Sequence, residues 1–118
     1  MFHKKKFNCY LIEDACHALG SSYKIKEKQI KTGSCKHSDI AVFSFHALKT
    51  ITTGEGGAIC TNSKKIFVKS KLYRSHGMIK KSFTKYDIML NGFNFRLSDI
   101  NASLGISQLK KLKNLVHN

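Results

Sequence analysis

Apolar residues fall in short, nearly continuous runs along the first half of the chain and at helical spacing along much of the second. Cys9 to Ile12, within NCYLIED, is the first run, and two acids follow it at once. IAVFSF, residues 40–45, is the second, and GAICT, residues 57–61, is the third. Runs this short, apolar at successive positions and flanked by turn residues, predict strands buried on both faces. Between the first two, Gly20, Ser21, Ser22, Gly33 and Ser34 mark turns, and Tyr23 to Ile30 alternates weakly, as a hairpin does.

The period then changes. NSKKIFVKSKLYRSHG predicts a helix capped by Asn62 or Ser63 and stopped at Gly77, with Ile66, Phe67, Ser70, Leu72 and Tyr73 facing inward. A last helix starts at a Ser98 cap, with Ile100, Leu104, Gln108, Leu109, Leu112, Leu115 and Val116 recurring on one side. Residues 78–95 read as a long loop rich in aromatic side chains, and residues 2–6 as a helix tail or a loose end. No internal repeat, linker or low-complexity segment interrupts the pattern.

Doubly apolar strands alternating with helices predict a slice of an α/β sheet. The chain has 118 residues, enough for one small domain at most. Three such strands are few for a sheet covered on both faces, and the last helix carries an unpaired apolar stripe. Partners or further chain are expected to complete the core. No apolar run approaches the roughly 18 residues of a membrane span. The apolar part of the N-terminus is too short for a signal peptide. A cytoplasmic protein is expected.

Charge adds a partner question. The net charge is +14, carried by 19 lysines and only 2 arginines. Base reading leans on arginine's flat bidentate fork, which lysine lacks, and these lysines are scattered rather than gathered in a stripe. A solvated lysine-rich surface is therefore expected rather than a nucleic-acid face, and an anionic small-molecule ligand also suits the charge. The four cysteines, at 9, 16, 35 and 60, include no C-x-x-C pair. Neither a zinc ribbon nor a redox motif is signalled, and reduced thiols are expected.

Lys49 stands apart from the other lysines, between an apolar strand and a glycine turn in FSFHALKTITTGEGG. A lysine that loses solvent in such a place becomes a nucleophilic amine able to form a Schiff base, the bond by which pyridoxal 5′-phosphate (PLP) is held. PLP also needs a carboxylate at its pyridine nitrogen and donors around its phosphate. Asp14 ends the first predicted strand and Ser44 lies near the end of the second. Strand ends are where open α/β sheets bind ligands. Taken alone, Asp14 also reads as a turn acid and Ser44 as a hydroxyl bonded to backbone.

IEDACHALGSSYK, GSCKHSDIAVFSFHALKTITTGEGGAICTN, LYRSHG and GFNFRLSDINASLGISQLKKL together resemble the DegT/StrS-type sugar-nucleotide aminotransferases, in order and over roughly residues 7–115. TTGEGG and RSHG most resemble the branch that aminates UDP-4-keto-6-deoxy-N-acetylhexosamines on the route to pseudaminic acid. The resemblance implies the large PLP-binding domain of the aspartate-aminotransferase fold, a mostly parallel sheet with flanking helices. It implies PLP as cofactor, a nucleotide-linked keto-sugar as substrate, glutamate as expected amino donor, and a homodimer with shared active sites. It matches Lys49 to the Schiff-base lysine that also shuttles the proton, and Asp14 to the acid on the pyridine nitrogen. His17 matches a position beside the ring's phenolic oxygen, Cys16 a small residue under the ring, and Ser44 the phosphate-binding hydroxyl. Asn94 matches an asparagine that reaches the phosphate of the neighbouring subunit's cofactor. No metal site, membrane partner or specific nucleic acid is expected.

Other residues are expected to be structural: His46; the glycines at 54, 56 and 57, which allow a tight turn; Glu55, bonding backbone there; and Arg74 and His76 at a helix end. Against the family pattern, an earlier section holding the PLP phosphate and a later domain closing over the sugar nucleotide are missing from residues 1–118. The expectation is a partial large domain with weak or no activity by itself, unless a companion chain supplies the rest. The alternatives are a non-catalytic or dimerising remnant and, from another class, a basic nucleic-acid-binding module.

Overall fold

The computed structural model describes residues 7–117, so the reading of residues 2–6 lies outside the described residues. The chain divides into two compact units, one built from the segments up to Asn62 and from Ser98 on, the other from Ser63–Leu97.

In the first unit, β1 (Ile12–Asp14), β4 (Ile40–Ser44) and β5 (Gly57–Cys60) form a sheet in the order β1-β4-β5. The first pairing is parallel, with Asp14 opposite Val42; the second is antiparallel, with Ser44 opposite Gly57. The sheet is thus mixed. β4 is central because its alternate residues Ala41 and Phe43 are both buried. The outer strands are barer than their apolar sequences predict: Ile12 and Ile59 each keep more than half their surface exposed. The first strand is also shorter than NCYLIED, since Cys9 and Tyr10 make no ladder. β2 (Ser22–Ile25) and β3 (Lys28–Lys31) form the expected hairpin, with Lys26 and Glu27 at its tip in left-handed backbone.

Helix α2 (Asp99–Leu109) starts where predicted, with Ser98 Oγ accepting the Asn101 N–H at 3.2 Å. Its buried position is Gly105, not the apolar stripe: Ile100 and Leu104 are exposed. The predicted single helix breaks at Lys110 and Lys111, where the Lys111 N–H bonds Gln108 O, and resumes as α3 (Leu112–His117). Asn101 Nδ2 donates to Thr53 O, and Gly105 faces Thr53, so α2 braces the segment that follows Lys49.

In the second unit, α1 (Lys64–Arg74) is capped by Ser63 and carries Lys71 and Arg74 in its last turn, where cations complement the helix dipole. None of its residues is fully buried, and Phe67 and Tyr73 are exposed rather than inward. Gly77, at φ +68°, sends its N–H back to Leu72 O at 2.7 Å. The predicted loop over residues 78–95 instead holds a hairpin, β6 (Met78–Lys80) with β7 (Tyr86–Ile88). No helix among the described residues is long and apolar enough to cross a membrane.

Candidate active site

β1 and β4 run parallel, so their carboxyl ends lie side by side, and Asp14 and Ser44 end those two strands. Successive side chains of a strand leave on opposite faces. That separates the two acids of IED. Glu13 turns to the 33–38 loop, accepting the Ser38 hydroxyl at 3.3 Å and the Gly33 N–H at 3.4 Å. Asp14 stays exposed and binds the Cys16 N–H through Oδ1 at 3.1 Å. The Cys16 thiol and N–H hold its carboxyl below the usual aspartate range, helped by His17 and Lys49. In return the Cys16 thiol is pushed up by Asp14.

Past Ser44 the chain leaves the sheet and turns over His46–Lys49, where the Lys49 N–H bonds His46 O at 3.0 Å. This turn brings Lys49 Nζ to 2.6 Å from His17 Nε2, across 32 residues of sequence. Ser44 Oγ accepts the His46 N–H at 3.3 Å, which leaves its own proton to give to an anionic oxygen. Gly57 lies opposite, where a Cβ would come within 2.7 Å of Phe43 O, so a side chain there would push the two strands apart. Buried Ile51 and Thr53 anchor the far side of the turn.

Lys49, His17, Asp14, Cys16 and Ser44 are therefore all carried by the ends of β1 and β4 and the turns that follow them. Asn94 belongs to the second unit, exposed and bridged to Ser75 in the stretch where the Phe93 and Phe95 rings stack. Two further residues flank the Lys49 turn. His46 Nδ1 accepts the Leu48 N–H at 3.2 Å, and its Nε2 lies 3.6 Å from Glu55 Oε1. Glu55 thus turns its side chain to a histidine rather than to backbone.

A lysine amine at the carboxyl edge of a parallel strand pair, near a carboxylate held below its usual range, is a layout able to form a Schiff base with a carbonyl compound. The chain belongs to the DegT/DnrJ/EryC1/StrS aminotransferase family, whose model matches residues 4–118. Among curated relatives, the UDP-4-amino-4,6-dideoxy-N-acetyl-β-L-altrosamine transaminase of Campylobacter jejuni (strain 81-176) is 53% identical over 108 residues, 92% of this chain and 27% of that protein. The enzyme of the same name from Helicobacter pylori is 49% identical over 107 residues, 91% of this chain and 27% of its own. Of solved structures, the Helicobacter pylori aminotransferase involved in the biosynthesis of pseudoaminic acid superposes with a TM-score of 0.80 at 44% identity, covering 94% of this chain and 28% of that one. A sugar aminotransferase from Streptococcus pneumoniae in its PLP form gives 0.73 at 32%, covering 94% and 28%. The chain spans little more than a quarter of the length of these relatives.

Proposed function

We propose that this chain forms the lysine-bearing part of the large domain of a PLP-dependent aminotransferase. The enzyme would move an amino group from a donor, glutamate by expectation, to a UDP-linked 4-keto-6-deoxy-N-acetylhexosamine, in the making of a surface amino sugar such as pseudaminic acid. The reading rests on one observation: Lys49 Nζ stands 2.6 Å from His17 Nε2 at the strand edge that also carries Asp14. The names of the relatives support the substrate class.

The donor set fits PLP: an amine, an ionised carboxylate, and a hydroxyl with a proton to give. Bound here, PLP would supply an electron sink for the substrate carbon. Asp14 would keep the pyridine nitrogen protonated, for which a carboxylate held below its usual range is suited. His17 would lie by the phenolic oxygen and Cys16 beneath the ring. Ser44, and Asn94 from a second subunit, would hold the phosphate. Lys49 would take the proton at the substrate carbon and return it at the cofactor carbon.

One equivalent of PLP, borohydride reduction and peptide mapping test this. The expected result is a label concentrated on Lys49 and lost in Asp14→Ala. A label scattered over the lysines rejects it. A second reading is a PLP-holding or dimerising segment without turnover. The exposed Ile12 and Ile59 of the outer strands favour it, because bare apolar strands invite association. It predicts the same Lys49 label with no amination of a keto-sugar nucleotide.

A further inference from the structure

Between buried Phe43 and buried Ile51, no side chain of residues 44–50 is buried, and Leu48 at the tip is 86% exposed. Packing grips the segment at its two ends, and within it hydrogen bonds meet at one residue, two through its backbone and one through its ring. The His46 N–H binds Ser44 Oγ, its carbonyl receives the Lys49 N–H, and its Nδ1 receives the Leu48 N–H, at 3.3, 3.0 and 3.2 Å.

A β-turn favours Asp, Asn or Ser at its first position because a short side-chain acceptor there takes the N–H two residues on. The same local bond occurs beside this turn, at Ser44 to His46 and at Thr52 to Gly54. His46 holds the first position of the 46–49 turn, and its ring nitrogen does the work of an asparagine oxygen. To accept, Nδ1 must be bare, so the ring proton sits on Nε2, facing the Glu55 carboxylate at 3.6 Å. Glu55 is held within reach because its carbonyl accepts Thr53 Oγ1 at 2.9 Å, and the next carbonyl, of Gly56, accepts the Phe45 N–H at 2.8 Å.

We propose that His46 is a positioning residue: its ring closes the turn that points Lys49 at His17. The proposal rests on Lys49 being the cofactor lysine, but its first readout does not. The 118-residue chain is compared with His46→Leu and His46→Asn by amide hydrogen exchange at Leu48, with the Ile51 amide as a check on the fold, and by the share of borohydride-fixed pyridoxyl label on Lys49.

In His46→Leu, Leu48 exchange is expected to rise by about two- to tenfold, the factor of one net hydrogen bond, and the Lys49 share to fall by a similar factor. His46→Asn is expected to restore both, since Oδ1 replaces Nδ1. Wild-type behaviour in His46→Leu overturns the proposal, and so does an asparagine variant as impaired as the leucine one. If the wild-type chain shows no preference for Lys49, the PLP reading fails, and Leu48 exchange still decides whether His46 closes the turn.

Discussion

Lys49 Nζ and His17 Nε2 meet at 2.6 Å although 32 residues separate them in the chain. When Lys49 is the donor in this contact, the imidazole nitrogen accepts and His17 carries its proton on Nδ1. His46, three residues before Lys49, is bound through Nδ1 and carries its proton on Nε2. Nitrogen-15 spectra of the imidazoles at neutral pH are expected to show these two histidines as opposite tautomers. Equal tautomers would contradict the geometry of one of the two contacts.

Asp14 makes a prediction in acid. The Cys16 thiol and N–H hold its carboxyl below the ordinary range. A depressed native value contributes stability that is complete above the unfolded value, about 3.9, and is lost as pH falls through the native one. Neutral pH, where the Cys16 thiol keeps its proton, leaves the contribution untouched. Carbon-13 titration of the Asp14 carboxyl should give a midpoint below that of a free aspartate. Cys16→Ala should raise the midpoint part of the way only, because the N–H at position 16 remains. An unchanged midpoint would remove the thiol from the account.

Asn101 ties α2 to the segment behind Lys49. Its Nδ2 donates to the carbonyl of Thr53, a residue only 2% exposed. Asn101→Ala leaves that carbonyl without its partner and should cost about 1–2 kcal/mol in urea unfolding. Gly105→Val should add to the loss, since even a Cβ there would lie 2.8 Å from Thr53 Cγ2. The second residue tests packing, and the first tests the Asn101 side chain's bonds to Thr53 and to the Ser98 cap.

Gly77→Ala should destabilise the Ser63–Leu97 unit by more than about 1 kcal/mol, because the φ of +68° strains any L side chain and the added carbon would strike the Leu90 carbonyl. Exchange of the Met78 and Met89 amides, next to that glycine, should rise with it. A stability within error of wild type would mean the turn relaxes without cost.

Local chemistry settled much of this protein from its sequence. Asn62 or Ser63, and Ser98, announce helix starts because a polar side chain before an apolar period satisfies loose N–H groups wherever it stands, and the first cap falls to Ser63. IAVFS and GAIC form strands, Asp14 and Ser44 fall at strand ends and Lys49 in the turn beyond, because short apolar runs bounded by turn residues favour strands. Tertiary structure decided the rest. The β6–β7 hairpin has only three residues a side and no alternation strong enough to see, and it forms through cross-strand pairing and the Lys81–Asp87 ion pair. Gly105 rather than Ile100 faces inward because Thr53 comes too close for any side chain, and that approach is set by a distant turn. Glu13 and Asp14 look alike in sequence; the pleat of β1 and the partners on its two faces send one into the 33–38 loop and leave the other at the site. The aim of Lys49 belongs here too, since neither His17 nor Glu55 can be placed beside its turn until β1, β4 and β5 are laid in order.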